Sequence, residues 1–116
     1  MDTILEIGTN DPLSFIDFFV PLARNLEGSG GIVYGPVPVI DPQAREAIPP
    51  ADHVLVSLRS VDDLRLVHQT MYDYIAGDSN RELTLENRTV ECVDTRITVT
   101  AGNFPDEEAL KHELFS

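Results

Sequence analysis

The chain has 116 residues, of which 42% are hydrophobic, and its 20 acidic and 8 basic residues give a formal net charge of −12. This length predicts a single domain, 1–116, which buries about two-thirds of the surface that the unfolded chain exposes. The single cysteine excludes an internal disulfide framework, and three scattered histidines provide no ligand cluster for a structural zinc. No cofactor and no metal are expected.

The acidic balance disfavours direct binding of nucleic acid through its phosphates. One interpretation is that it reflects an acidic or arginine-preferring proteome, since Lys111 is the only lysine. The other is that the acidic residues imitate nucleic-acid phosphates and occupy a basic groove of another protein. The acidic residues are spread along the chain rather than gathered on one predicted face, which favours the first interpretation.

The beginning of the chain, MDTILEIGTND, has no basic region followed by an apolar run. No stretch of about 18 uncharged apolar residues occurs anywhere in the sequence. These features predict a cytoplasmic protein that is not associated with a membrane.

Taken in order, Thr3–Ile7 predicts a short strand that ends at Gly8. Asp11 is expected to cap a helix that has Pro12 in its first position. This helix, along LSFIDFFVPLARNLEG, has a broad apolar face and is expected to be buried more deeply than the next, with Pro21 on its polar side. The residues of that face are Phe18, Leu22, Phe15, Leu26, Phe19, Ala23 and Ile16.

GSGG, residues 28–31, predicts a turn and not a phosphate-binding loop. Ile32–Ile40 has an extended pattern, but Pro36 and Pro38 cannot donate hydrogen bonds to a neighbouring strand. The segment is therefore expected to be an edge strand or polyproline-like. A polar connector is expected at Asp41–Pro50.

Val54–Leu58 fits either a buried strand or the first turns of a helix that begins at Pro50. The absence of a loop before Ser60 slightly favours the helix.

Ser60–Gly77 is the helix that the sequence predicts most clearly. Ser60 and Asp63 have the spacing of a capping box, and Gly77 stands at the usual stop position. The residues predicted to face the core are Tyr74, Val67, Met71, Leu64, Ile75, His68 and Val61. Those predicted to lie opposite are Asp62, Asp73, Gln69 and Thr70. This pattern indicates a helix docked on a core.

In the segments ELTLEN, TVECV and RITVT, apolar and polar residues alternate. This pattern predicts two or three antiparallel strands, with turns near Asn87–Arg88 and Asp94–Thr95. The last segment, Phe104–Phe115, predicts a helix opened by Pro105, with a narrow apolar stripe formed by Leu110 and Leu114. The whole pattern predicts an α+β domain with two or three main helices packed on an antiparallel or mixed sheet.

Candidate catalytic residues are few. His68 lies in the apolar stripe of its helix, so a histidine bonded to a backbone group is the expected role. Cys92 falls in a strand pattern and is expected to be a small buried side chain rather than a nucleophile. His53 and His112 stand alone in the sequence, outside any catalytic motif. No enzyme activity is therefore expected.

The order of elements resembles the effector-associated constant component family of prokaryotic conflict systems. The resemblance extends along TILEIG, PLARNLEGSGG, IVYGPVPVI, LVHQTMYDYIAG, the ELTLEN to ITVTAG region and PDEEALKHELF. It implies a non-enzymatic partner of protease-like or other effector proteins in a defence system. It implies no catalytic residue.

Three functional hypotheses follow: an adaptor that binds an effector protein, an acidic phage-type inhibitor that mimics nucleic acid, and a small enzyme. Homo-oligomers are compatible with all of them. The predicted docking surface for a protein partner is centred on Leu66, an apolar residue on the polar side of the central helix, with Asp62, Asp73 and Thr70 at the same angle. The proline-bearing segment Ile32–Ile40 is the next candidate surface.

Overall fold

A computed structural model describes residues 3–38, 51–89 and 96–115 of the chain. In this part of the chain three helices pack on a five-stranded antiparallel sheet, so the predicted α+β fold class is confirmed. The elements are, in order, β1 (Thr3–Thr9), a 3₁₀ turn (Pro12–Ser14), α1 (Ile16–Glu27), β2 (Ile32–Pro38), β3 (Ala51–Leu58), a 3₁₀ turn (Val61–Asp63), α2 (Leu64–Gly77), β4 (Leu83–Asn87), β5 (Arg96–Val99) and α3 (Glu107–Phe115).

The sheet has the strand order β2-β3-β1-β4-β5, so β1 lies at its centre. Leu5 of β1 pairs with Val56 of β3 on one side and with Asn87 of β4 on the other. The prediction that the proline-bearing segment is an edge strand is confirmed for β2. Its register shifts between Tyr34 and Val37, the interval that contains Pro36.

The two faces of the sheet have different compositions because successive side chains of a strand point to opposite sides. Leu5 and Ile7 of β1 belong to one fully buried apolar cluster with residues of all three helices. Glu6 and Gly8, which alternate with them, lie on the other face. The charged side chains of the strands therefore share the face that points away from the apolar core.

Val54–Leu58 belongs to a strand, so the slight preference for a helix was wrong. Its apolar core residues alternate, since Val54, Val56 and Leu58 are all in the core. The strand can precede the central helix without a long loop because the chain turns within residues 59 and 60. There the Asp63 carboxylate accepts a hydrogen bond from the Arg59 N–H at 3.2 Å.

The first helix differs from the prediction in its cap and its burial. The Asp11 carboxylate makes no cap hydrogen bond; the Asp11 carbonyl instead accepts the Ser14 N–H at 3.2 Å, because the helix begins as a 3₁₀ turn. Ile16 and Ala23 of the predicted apolar face are exposed, whereas Phe18, Leu22 and Leu26 are the buried residues of α1. Pro21 is exposed, as predicted.

The central helix α2 is buried more extensively than α1, which reverses the predicted order. Its buried residues are Leu64, Val67, Thr70, Met71, Tyr74 and Ile75, twice as many as the three in α1. The predicted capping box is shifted. Ser60 Oγ accepts the Asp62 N–H at 3.0 Å, and Asp63 reaches back to Arg59 rather than to Ser60.

The remaining elements follow the sequence pattern closely. Residues 28–30 form the predicted turn, and Gly30 has a φ of +86°, a backbone conformation that favours glycine. The strands β4 and β5 pair antiparallel. Leu110 and Leu114 form the buried stripe of α3, which begins at Glu107. The predicted connector Asp41–Pro50, the turn at Asp94–Thr95 and Cys92 lie outside the described residues.

Candidate functional site

The predicted docking residues on α2 do not form an open apolar surface. Leu66 is half-buried and packs against the core cluster. Thr70 is buried, donates a hydrogen bond to the Leu66 carbonyl at 2.8 Å, and accepts one from Asn25 Nδ2 of α1 at 3.0 Å. Both side chains therefore contribute to the packing of the fold, because α1 crosses α2 on the side that the sequence pattern assigned to solvent.

The two acidic residues of that predicted surface are exposed. The Asp62 backbone belongs to the turn before α2. The Asp73 carboxylate accepts a hydrogen bond from Gln69 Nε2 at 3.1 Å. They remain surface carboxylates, but they do not surround an exposed leucine.

A concave apolar surface lies on the neighbouring side of the same helix, and we call it the α2 cleft. It has a volume of about 180 Å³ and is lined by Tyr72, Ile75, Ala76, Ala101 and Phe104. The Tyr72 side chain is 55% exposed. Its ring packs edge-to-face against Phe104, with 5.6 Å between the ring centroids. Two aromatic side chains thus form one wall of an open apolar cleft.

Local structure holds Phe104 in place. Residues 100–103 form a turn closed by two reciprocal backbone hydrogen bonds between Thr100 and Asn103, at 3.2 and 3.3 Å. The His68 ring Nε2–H donates to the Pro105 carbonyl at 2.9 Å, and the His68 ring contacts Phe104 with 5.1 Å between centroids. The prediction that His68 bonds a backbone group is confirmed. The cleft was not predicted, because the sequence around Phe104 indicates only that this residue precedes the proline expected to open a helix. It does not indicate the contact with Tyr72.

Charged side chains occupy the face of the sheet opposite the helices. Gly8 of β1 stands between His53 and Thr84 in the strand register, and a depression of about 280 Å³ lies over it. A Cβ atom at Gly8 would lie 3.5 Å from the Asp52 carbonyl oxygen, which is an ordinary contact. A small side chain would therefore fit at Gly8 without moving the backbone, and it would partly fill the depression.

Arg88 is held by two carboxylates on this face. Its Nε donates to Glu6 at 2.7 Å, its Nη2 donates to the same carboxylate oxygen, and its Nη1 lies 3.6 Å from Glu86. The hydrogen bonds that Arg88 donates to Glu6, and then the charges of Glu6 and Glu86, raise the pKa of the Arg88 guanidinium above its ordinary value. Because the side chain is half-exposed, this ion-pair cluster contributes little to stability.

His53 lies close to two carboxylates, one from its sequence neighbour Asp52 and one from Glu6 on the neighbouring strand β1. Its Nδ1 lies 2.5 Å from Asp52 Oδ1, and its Nε2 lies 3.9 Å from Glu6 Oε1. The second ring nitrogen thus faces another carboxylate and not a hydroxyl or thiol that it could activate as a nucleophile.

The charges of this face alternate in sign. Arg88 lies between Glu6 and Glu86, and Arg96 pairs with Glu86 in the strand register. A surface that imitates a row of phosphates needs a continuous run of one sign.

Within residues 3–38, 51–89 and 96–115, no three His, Cys, Asp or Glu side chains are grouped so that they could hold a metal ion.

A second apolar surface runs along the outside of α1, and we call it the α1 strip. Its first two side chains are the most prominent, since Leu13 is 83% exposed and Ile16 is 56% exposed. Val20 is half-buried and Ala23 is exposed. The strip consists of these four residues, of which Ile16 and Ala23 belong to the predicted apolar face.

No protein-family model, curated protein or solved structure matches the chain. In the described part of the chain, every helix is too short or too polar to cross a membrane.

Proposed function

We propose that the chain is a non-enzymatic protein–protein interaction module that binds a basic segment of a partner protein in the α2 cleft. The observation that carries the proposal is the cleft itself, an apolar concavity with a half-exposed tyrosine packed on a second aromatic ring. Apolar pockets of this kind accept a single anchor side chain, and tyrosine is among the residues most often found at the energetic centre of an interface.

The shape of the cleft suits a protruding apolar side chain. Tyr72 and Phe104 are fixed by their mutual packing and by the turn at residues 100–103, so little conformational entropy is lost when the cleft is filled. Covering the exposed part of Tyr72 and filling the cleft is expected to contribute about 2 kcal/mol.

The charge of the chain favours a basic partner. The net charge is −12, and the exposed Asp73 follows Tyr72 directly. Ile75 and Ala76, which line the cleft, belong to the last turn of α2. The negative end of a helix dipole favours cations. An apolar anchor followed by lysine or arginine is therefore the sequence that fits this surface.

The family resemblance noted in the sequence suggests which class of protein the partner belongs to. It suggests an effector protein of a prokaryotic defence system, with this chain as its adaptor or accessory component. The proposal keeps the interaction function that the sequence suggested and replaces the Leu66-centred surface by the adjacent α2 cleft.

The experiment is a selection from a random-peptide phage library on the immobilised chain, followed by affinity measurements on synthesised peptides. We expect peptides with one apolar or aromatic anchor beside basic residues. Tyr72→Ser is expected to weaken their binding about 10-fold or more. Ile32→Ser is the matched control, since Ile32 is 53% exposed and Tyr72 is 55% exposed.

Two results would refute the proposal. One is selection of basic ligands whose binding disappears with salt and is indifferent to Tyr72→Ser, which is the behaviour of a nucleic-acid mimic. The other is a loss of binding in Ile32→Ser but not in Tyr72→Ser, which would place the docking surface on the β2 edge.

A further inference from the structure

Two aromatic rings meet at nearly a right angle in the α2 cleft. The planes of the Tyr72 and Phe104 rings are inclined by 87°, and the ring centroids lie 5.6 Å apart. A cation in the corner between two such rings lies within about 6 Å of both centroids, the range in which the negative face of an aromatic ring attracts it. The Tyr72 side chain is 55% exposed, so a ligand can reach this corner from solvent. The geometry of the cleft therefore suits a positively charged group.

The two chain segments that form the cleft are acidic. Residues 69–78 and 97–110 contain no lysine or arginine. Ile75 and Ala76, which line the cleft, belong to the last turn of α2, where the helix dipole also favours a cation. The acidic residues of the two segments are Asp73, Asp78, Asp106, Glu107 and Glu108. The local charge therefore favours a cationic ligand over an anionic one.

The cleft offers few hydrogen bonds to such a ligand. Among the described residues that line it, the Tyr72 hydroxyl is the only polar side-chain group. The head group of an unmodified lysine or arginine would give up hydrogen bonds to water here without replacement. A lysine with three N-methyl groups keeps its positive charge, has no N–H group to satisfy and surrounds the charge with apolar methyl groups.

We infer that the α2 cleft recognises an N-trimethylated lysine in the basic segment of the partner. The trimethylammonium head lies in the corner between Tyr72 and Phe104, and the four-carbon stem lies against the apolar lining. This one side chain supplies both the apolar anchor and the positive charge of the partner segment. The inference rests on the proposed function, because it names the residue that occupies the same cleft.

The experiment is a nitrogen-15 chemical-shift titration of the chain with three single-residue probes, each acetylated at its amino end and amidated at its carboxyl end. The probes are trimethyllysine, lysine, and the analogue of trimethyllysine in which a neutral carbon replaces the ammonium nitrogen. This analogue has the same shape without the charge, so it isolates the attraction between the cation and the ring faces. We expect a dissociation constant on the order of 1 mM for trimethyllysine, and at least about 5-fold weaker binding of the other two probes.

Substitutions of Tyr72 separate the aromatic face from the apolar surface. Tyr72→Phe keeps the ring and is expected to keep the order of affinities. Tyr72→Leu keeps an apolar wall without a ring face, and it is expected to reduce the advantage of trimethyllysine over the neutral analogue to about 2-fold or less. Ile32→Ser, on β2, is the control that leaves every affinity unchanged. Thermal melting of each variant establishes that it is folded.

Choline distinguishes the two sources of a trimethylammonium group. It has the same head as trimethyllysine but lacks the lysine stem, so it is expected to bind at least about 3-fold more weakly. Choline that binds as tightly as trimethyllysine would identify a choline compound as the ligand and would overturn the inference.

Three further results would also overturn it. These are lysine or the neutral analogue binding as tightly as trimethyllysine, Tyr72→Leu keeping the full preference for trimethyllysine, and no binding of trimethyllysine at concentrations up to about 50 mM. Each is distinguishable from a failure of the proposed function, which is decided by whether the library-selected peptides depend on Tyr72.

Discussion

Met71 lies at the centre of the core side of α2 and is completely buried. The apolar cluster around it contains residues from β1, α1 and α3, so no side of Met71 faces solvent. Replacement by aspartate would place a charge in an apolar environment with no described cationic partner, and such a charge is either neutralised or expelled at the expense of folding.

Met71→Asp is therefore expected to lower the free energy of unfolding by about 4 kcal/mol or more, close to the whole stability of a small domain. Urea denaturation followed by circular dichroism measures this change. Arg65→Asp is the matched control, since the same side chain enters at an exposed position in the first turn of α2, where the helix dipole favours a negative charge. An unchanged midpoint for Met71→Asp would mean that the stripe is not core.

A buried amide side chain on β4 connects α3 to the sheet, in addition to the apolar contacts of Leu110 and Leu114. Asn87, at the end of β4, is 3% exposed, and its Nδ2 donates to the Leu114 carbonyl at 2.9 Å. Its Oδ1 accepts the Thr89 N–H at 2.9 Å. The side chain thus satisfies a carbonyl of the last turn of α3 that has no partner within the helix.

Asn87→Ala leaves that carbonyl without its buried partner and is expected to cost about 1–3 kcal/mol. Hydrogen exchange should report the loss first in α3, whose amides are expected to exchange faster than those of β1 and β3. The exposed Asn103→Ala serves as the control. Equal protection of α3 in the parent and in Asn87→Ala would show that the apolar contacts of Leu110 and Leu114 alone position this helix.

Most elements could be predicted because their signals are local. The period of α2, the prolines of β2 and the alternation of β4 each determine one element without reference to the rest. Val54–Leu58 could not be assigned, because a short apolar run fits both a helix and a buried strand. Only its pairing between β1 and β2 decides the question.

The site residues depended on contacts between elements and were therefore predicted less well. Thr70 was assigned to the solvent side because threonine is polar. Its hydroxyl donates a hydrogen bond to the Leu66 carbonyl, so the side chain can be buried under α1 without losing a hydrogen bond. No local sequence pattern indicates the contact between His53 and Glu6, because the two residues lie on different strands, β3 and β1, which become neighbours only in the folded sheet. The α2 cleft requires Phe104 to fold back against Tyr72, and no periodicity encodes that contact.

At the scale of the whole molecule, the net charge of −12 acts on the compact state. The 20 acidic residues outnumber the 8 basic ones, and their mutual repulsion is greatest when the chain is folded. Added salt screens this repulsion more than it weakens the few surface ion pairs, such as that between Arg88 and Glu6.

The melting temperature is therefore expected to rise by about 3–8 °C between about 20 mM and 0.5 M sodium chloride. Calorimetry on dilute protein measures the shift. Glu82→Lys together with Glu113→Lys reverses two exposed charges and changes the net charge from −12 by +4 to −8, so its melting temperature should depend less on salt. The same dependence in both proteins would attribute the effect to something other than net charge.

The proposed function rests on the binding of a basic segment of a partner protein in the α2 cleft. The most direct test is a nitrogen-15 chemical-shift titration of the chain with a basic peptide from the library selection. We expect the largest shift changes at Tyr72, Ile75, Ala76 and Ala101, and we expect Tyr72→Ser to require about 10-fold more peptide to produce the changes at the other three residues. Shift changes centred on the sheet face, around Glu6 and His53, with those four residues unperturbed, would contradict it.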